Sequence, residues 1–174
     1  DGLDDSMNEE RGHLTTVSSE EPRRSELAII SDIVFPEDTN PYGTMFGGRA
    51  FAMMDKVAFL AANRFANTLA VTASSESVDF AVPIHVGMIL EAVAKVIHAG
   101  RTSMVVRVEL TAREPLSTET KQATVGYFTM VAVDAAGTPV EVPQLLVEDE
   151  AEWRHAEQIR AAAKARRDRR NGRA

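Results

Sequence analysis

The clearest periodic signal in the chain lies past its midpoint, where Val106, Val108, Leu110 and Ala112 alternate with Arg107, Glu109, Thr111 and Arg113. Successive side chains of a strand point to opposite faces, so the segment 102–113 is predicted as a strand with one buried face. Segments at about 70–82, 88–98 and 121–134 carry related chemistry, and Pro83, Gly87, Gly100, Pro115 and Gly137 punctuate the series. At most about seven residues separate these segments, too few for helical crossovers, so they are expected to pair antiparallel. Upstream, Leu27–Phe35 is an apolar run that reads as a strand ended by Pro36. Glu37–Gly48 is crowded with turn formers and reads as a loop. From Arg49 to about Asn67 the chain is rich in Ala and Met and free of Gly and Pro, which predicts a helix.

The plan is therefore α+β: one strand, one long apolar helix, then four strands of a five-stranded antiparallel sheet. The helix is apolar nearly all round, so the sheet is expected to wrap around it. One sheet face would remain open, which predicts a homodimer. From Val147 the chain reads as a final helix, acidic at its start and basic at its end in accord with the macrodipole. Trp153, Ala156, Ile159 and Ala163 form a short seam on it, taken as packing or simple solvation and not as a site. Residues 1–25 are polar, acidic and without periodicity, predicting disorder. The expected organisation is thus a lead-in to residue 25, one domain over 26–146, and a basic tail over 147–174.

Composition narrows the function. Nineteen basic against 26 acidic residues leave a net charge of −7, which argues against a partner gripped by its phosphate backbone. The imbalance is local: residues 151–174 hold eight basic and three acidic side chains. Solvation of a helical end is the favoured explanation of that run over nucleic acid or membrane binding. The absence of cysteine excludes thiolate metal sites and a cysteine nucleophile. His13, His85, His98 and His155 are scattered, and no metal site is expected. No apolar run reaches membrane-spanning length and the N-terminal residues do not resemble a secretory signal, so a cytoplasmic protein is expected.

One carboxylate stands out. Arg49, Lys56, Asn63 and Asn67 share a polar stripe on the predicted helix, and Asp55 lies about 100° away from it. Its neighbours three and four residues away are Phe51, Ala52, Ala58 and Phe59. A carboxylate on an apolar face is desolvated unless donors hold its charged form, which makes it a candidate base or nucleophile. Phe46, Gly47 and Gly48 open the helix, where backbone N–H groups are free and no Cβ at the glycines bars a ligand. Donors at a helix start and a carboxylate further along are the components of acyl transfer. The plainer alternatives are a structural ion pair for Asp55 and a tight turn for the glycines.

The run Asp38 to Asp55, DTNPYGTMFGGRAFAMMD, resembles the signature of hotdog-fold acyl-CoA thioesterases, in particular the small bacterial acyl-CoA hydrolases similar to YciA. Val71-Thr72, Ser77-Val78-Asp79-Phe80, Gly100-Arg101-Thr102-Ser103 and Phe128–Asp134 extend the likeness over about residues 27–143. The resemblance implies a sheet wrapped around the helix, hydrolysis of acyl-CoA to fatty acid and CoA, and assembly as a dimer that goes on to a tetramer or hexamer. It places the catalytic carboxylate at Asp55, an asparagine at Asn40, and the N–H that polarises the thioester carbonyl at Gly47 beside Gly48. Phe46 stands where many relatives carry His, as in the YciA-like branch, and Arg101, Thr102 and Ser103 stand where relatives tend to contact CoA. No cofactor is implied, CoA being part of the substrate. A non-catalytic acyl-CoA binder is the principal rival; a hydratase is disfavoured because neither the helix nor its entry loop carries His.

Overall fold

The computed structural model describes residues 21–76 and 78–172. Strands β1 (Ala28–Ile33), β2 (Leu69–Ser75), β3 (Ile89–Ala99), β4 (Ser103–Arg113) and β5 (Lys121–Val133) form one sheet in the order β1-β3-β4-β5-β2, antiparallel throughout. Helix α1 (Gly47–Ala66) lies between β1 and β2 in the chain, and these are the two edges of the sheet, so α1 crosses one face and touches all five strands. Helix α2 (Glu150–Asn171) follows the last strand and lies against the other face. The expected five-stranded hotdog sheet with a central and a C-terminal helix is the observed one. No helix among the described residues is long and apolar enough to cross a membrane.

The buried residues of α1 are Ala50, Met53, Met54, Val57, Ala58, Ala61, Ala62 and Phe65, steps of three and one that keep to a single helical face. They meet Val106, Val108, Leu110 and Ala112, so the alternation read in β4 does face the core. Gly126 of β5 sits beneath the helix. A Cβ there would come within 2.8 Å of Met54 Cε and 3.3 Å of both Phe128 Cε2 and Val78 Cγ2. A strand glycine is thus what lets helix and sheet approach this closely. Asn67 ends α1 in the left-handed conformation, φ 52°, as the C-cap.

Four expectations need correction. The helix begins at Gly47, not Arg49, because the glycines occupy its first turn and Phe46 is the extended N-cap. The strand predicted over 70–82 stops at Ser75: its register slips between Thr72 and Ser74, and the chain then leaves the ladder. Nor is α1 enclosed all round, since the sheet covers only one side of it. Ala52 is exposed, and Phe59 and Leu60 remain 39% and 38% exposed. The predicted disordered lead-in falls mostly on residues 1–20, outside the described residues, but its last residues are tied down. Arg23 N–H donates to the Gln144 carbonyl at 2.7 Å, and Ser25 Oγ accepts from Val96 N–H at 2.8 Å.

The outer face of the sheet is covered in part by α2. Asp149 caps that helix, its Oδ1 accepting from the N–H groups of Ala151 and Glu152 at 2.9 and 3.0 Å. Glu152 then reaches Lys95 Nζ at 2.7 Å and Arg107 Nε at 3.7 Å, two cations that stand opposite each other on β3 and β4. Ala156 and Ile159 form a second apolar cluster with Ile97 and Val105, and Trp153 stacks on His98 at a centroid distance of 5.2 Å. The apolar seam of the tail is therefore packing, as one of the two sequence readings had it.

Candidate active site

The loop before α1 is closed by Asn40. Its Oδ1 accepts from the backbone N–H of Tyr42 (2.9 Å) and Thr44 (3.3 Å), its Nδ2 lies 2.8 Å from Thr44 Oγ1, and its backbone N–H donates to the Thr44 carbonyl at 2.9 Å. Gly43, with φ 74°, takes the left-handed position the loop requires. Met45 N–H donates to the Ile84 carbonyl at 2.7 Å, and Phe46 N–H to the Asp38 carbonyl at 2.9 Å, so the loop delivers the chain to the helix start in a fixed direction.

No side chain caps α1. Its first N–H groups, those of Gly47 and Gly48, have no intrahelical acceptor and stand at the positive end of the helix dipole. Gly47 faces a cleft of about 340 Å³ lined by Met45, Ala50, Phe80, Val82, Pro83 and Ile84 among others. The nearest atom to a Cβ built on Gly47 is Phe80 Cε2 at 3.4 Å. Phe46 is half exposed beside it. An apolar cleft with backbone donors at one end has the chemistry to receive a hydrocarbon chain on carbon and an acceptor oxygen on N–H.

Asp55 lies eight residues further along α1, about 12 Å by the helical rise, and is half-buried. Thr72 Oγ donates to Asp55 Oδ1 at 2.6 Å. This donor comes from the edge strand β2 and was not singled out for the site in the sequence, although Val71-Thr72 belonged to the resemblance. The desolvation expected from the apolar neighbours is thus partly relieved, since Ala52 and Phe59 on the same flank are open to solvent.

Arg101, Thr102 and Ser103 form the turn between β3 and β4, where Gly100 N–H donates to the Ser103 carbonyl at 2.7 Å. They lie on the face of the sheet that carries α2, not the face that carries α1. There they line a groove of about 670 Å³ with Thr129, Val131 and basic residues of α2. The sequence candidates therefore fall into three places on one chain: the start of α1, the Asp55–Thr72 pair, and the β3–β4 turn. The contribution of α2 to the third was missed because its charges are some sixty residues from Arg101 and read as a solvated end.

Residues 42–119 match the thioesterase superfamily. An uncharacterized acyl-CoA thioester hydrolase of Zymomonas mobilis is 40% identical over 113 residues, 65% of this chain and 76% of that one. The acyl-CoA thioester hydrolase YciA of Escherichia coli is 32% identical, over 66% of this chain and 89% of its own. Among solved structures, an acyl-CoA hydrolase of Staphylococcus aureus in complex with butyryl-CoA and CoA superposes with a TM-score of 0.79 at 36% identity, covering 87% of this chain and 96% of that one. The same hydrolase has been solved with single alanine replacements of an asparagine, an aspartate and a threonine, and two further structural neighbours, an acyl-CoA thioesterase and a thioesterase of Yersinia pestis, are hexamers. The chain belongs to the thioesterase superfamily, as one of its hotdog-fold acyl-CoA thioester hydrolases.

Proposed function

We propose that this acyl-CoA hydrolase uses Asp55 as its catalytic carboxylate, the Gly47 N–H as the donor to the thioester carbonyl oxygen, and Asn40 and Thr72 to position the attack. The observation that carries this reading is an interval. Asn40, Asp55 and Thr72 are separated by fifteen and seventeen residues. The asparagine, aspartate and threonine replaced in the S. aureus hydrolase have the same two intervals. The Thr72–Asp55 hydrogen bond supports it independently by joining two of the three.

The chemistry follows from the groups. The carbonyl oxygen gains negative charge as the carbon is attacked, and an N–H at a helix start stabilises that charge. Asp55 either takes a proton from water as the water oxygen bonds to the carbonyl carbon, or bonds to that carbon itself to give a mixed anhydride that water then cleaves. In both cases the C–S bond breaks, the CoA thiolate takes up a proton, and the acid is released. Asp55 and Gly47 of one chain stand about 12 Å apart, too far to serve one carbonyl. The site is accordingly shared, with Gly47 from one copy and Asp55 from another. The exposed Phe59 and Leu60 of α1, together with Leu69 and Val71 of the edge strand β2, supply apolar surface for that contact.

The test is thiol release from a panel of acyl-CoAs by the wild-type chain and the Asp55→Asn variant. A fall of several powers of ten in turnover with substrate binding retained is expected. Near-full activity in the variant would remove Asp55 from the chemistry. A panel that releases no thiol from any acyl-CoA would leave a binder in place of an enzyme.

A further inference from the structure

Among the described residues no side chain caps α1, so the direction of its first N–H groups is set from outside the helix. The segment from Asp38 to Phe46 sets it as a small hairpin. Asn40 N–H donates to the Thr44 carbonyl at 2.9 Å, and Thr39 and Met45 stand opposite each other as an antiparallel bridge. Phe46 N–H then donates to the Asp38 carbonyl at 2.9 Å. Asn40 holds the tip, its side chain accepting from Tyr42 and Thr44. Asp38 holds the base.

Three contacts meet at Asp38, each with a different part of the fold. Its carbonyl fixes Phe46, whose own carbonyl belongs to the peptide that carries the Gly47 N–H. Its Oδ2 accepts from Phe35 N–H at 3.1 Å while its N–H donates to the Phe35 carbonyl at 3.0 Å, so the turn after β1 is closed in both directions. Its Oδ1 lies 3.6 Å from Arg49 Nε in the first turn of α1. The anchor at Phe35 is firm, because Val34 N–H beside it donates to the Met88 carbonyl at the start of β3, at 3.0 Å. On the helix side, the Phe46 carbonyl accepts from Arg49 N–H at 2.9 Å and Ala50 N–H at 3.3 Å. The Phe46–Gly47 peptide is therefore gripped by the sheet through Asp38 and by the helix through its own first turn.

Stability is a poor explanation for the charged part of this arrangement. A cation in the first turn of a helix opposes the dipole, and an ion pair with an arginine side chain 60% exposed adds little. What the contacts fix is an angle. A donor serves a carbonyl oxygen only when its N–H is aimed at it, and a misplacement of about 1 Å costs roughly a hundredfold in rate.

We propose that Asp38 is a positioning residue for the hydrolysis, holding the Phe46–Gly47 peptide so that the Gly47 N–H points into the cleft. This rests on the reading of Gly47 as the donor to the thioester carbonyl. Asp38 itself touches no reacting atom and acts through the peptide it holds.

The experiment is thiol release from acyl-CoA by the full chain carrying Asp38→Ala or Asp38→Asn, each alone and combined with Gly47→Pro, with a thermal melt of every variant. Asp38→Ala is expected to lower kcat by about 10- to 100-fold while KM moves by less than about threefold. Asp38→Asn, whose Oδ1 still accepts from Phe35 N–H, should recover most of that loss. The two losses should not multiply: in the Gly47→Pro chain, which has no N–H to aim, Asp38→Ala should change kcat by less than about twofold. Should the alanine chain fail to fold, Asp38→Glu runs the same cycle, keeping the charge while moving the carboxylate by one methylene, with an expected loss of roughly 3- to 10-fold. A lowered melting temperature with kcat unmoved, or losses that multiply with that of Gly47→Pro, overturns the positioning role. Full activity in Gly47→Pro alone sinks the donor reading instead, whatever Asp38 does.

Discussion

Thr72 and Asp55 are bonded at 2.6 Å across the gap between the edge strand β2 and helix α1. The hydroxyl lies 3.4 Å from Met130 Sδ on its other side, so its orientation is set by two neighbours. A donor fixed in this way holds one carboxylate oxygen and leaves the other for water or substrate. Replacing Thr72 by Ala is expected to lower kcat by about 10- to 100-fold, the worth of one hydrogen bond to a charged group, with Thr72→Ser recovering most of it. Steady-state kinetics with unchanged melting temperature is the check. Full activity in Thr72→Ala would leave the bond without a catalytic part.

Gly47 permits an unusually clean test of a backbone donor. It is the first residue of α1, where proline is tolerated, and Phe46 before it is already extended at φ −62° and ψ 129°, as a residue preceding proline must be. Gly47→Pro should therefore keep the helix while deleting the N–H, and lower kcat by about 10²–10³. Gly47→Ala keeps the N–H, and its Cβ would meet Phe80 at an ordinary 3.4 Å, so it should lose far less. Equal loss in both would trace the effect to crowding of the cleft.

Gly126 sets the distance between helix and sheet. Gly126→Ala drives a methyl to 2.8 Å from Met54 Cε, which a flexible side chain absorbs at a cost of about 1–3 kcal/mol. Gly126→Val adds bulk where the Cβ already lies 3.3 Å from Phe128 and Val78, neither of which has the same freedom as Met54, and should lower the melting temperature further. Chemical denaturation of the two variants measures the difference.

His98 is buried between β3 and α2, and burial, reinforced by Arg160, holds its pKa below the ordinary value of 6.5, while Glu157 opposes the shift more weakly. Below pH 6.5 the unfolded chain takes up a proton that the folded chain resists. Stability should accordingly fall as pH drops from 6.5 toward the folded pKa, and be independent of this residue above 6.5. His98→Phe, which keeps a ring against Trp153, should flatten that part of the curve of melting temperature against pH. An unchanged slope would assign it to other groups.

Much of this architecture was legible because β4 alternates strictly from Val106 to Arg113 and α1 is free of glycine and proline after its first turn. Asp55 was legible as a charge out of place on a helical wheel. What escaped was set by contacts remote in sequence. Met104, Val105 and Val106 are consecutive and all buried, since α2 covers Val105 from the side opposite α1, and strict alternation does not anticipate a second covering layer. The premature end of β2 comes from its slipped register, which its apolar and hydroxylated residues do not announce. The groove under α2 joins Arg101 to Arg160 and Lys164, and composition read along the chain sees only a basic end.

The two helical turns between Gly47 and Asp55 carry one more implication. If each reaction centre draws its donor from one copy and its carboxylate from another, then two crippled proteins can heal each other. A chain carrying Gly47→Pro, co-assembled with a chain carrying Asp55→Asn, regenerates one centre in which both original groups survive, so mixing two inert preparations should create activity that neither possesses.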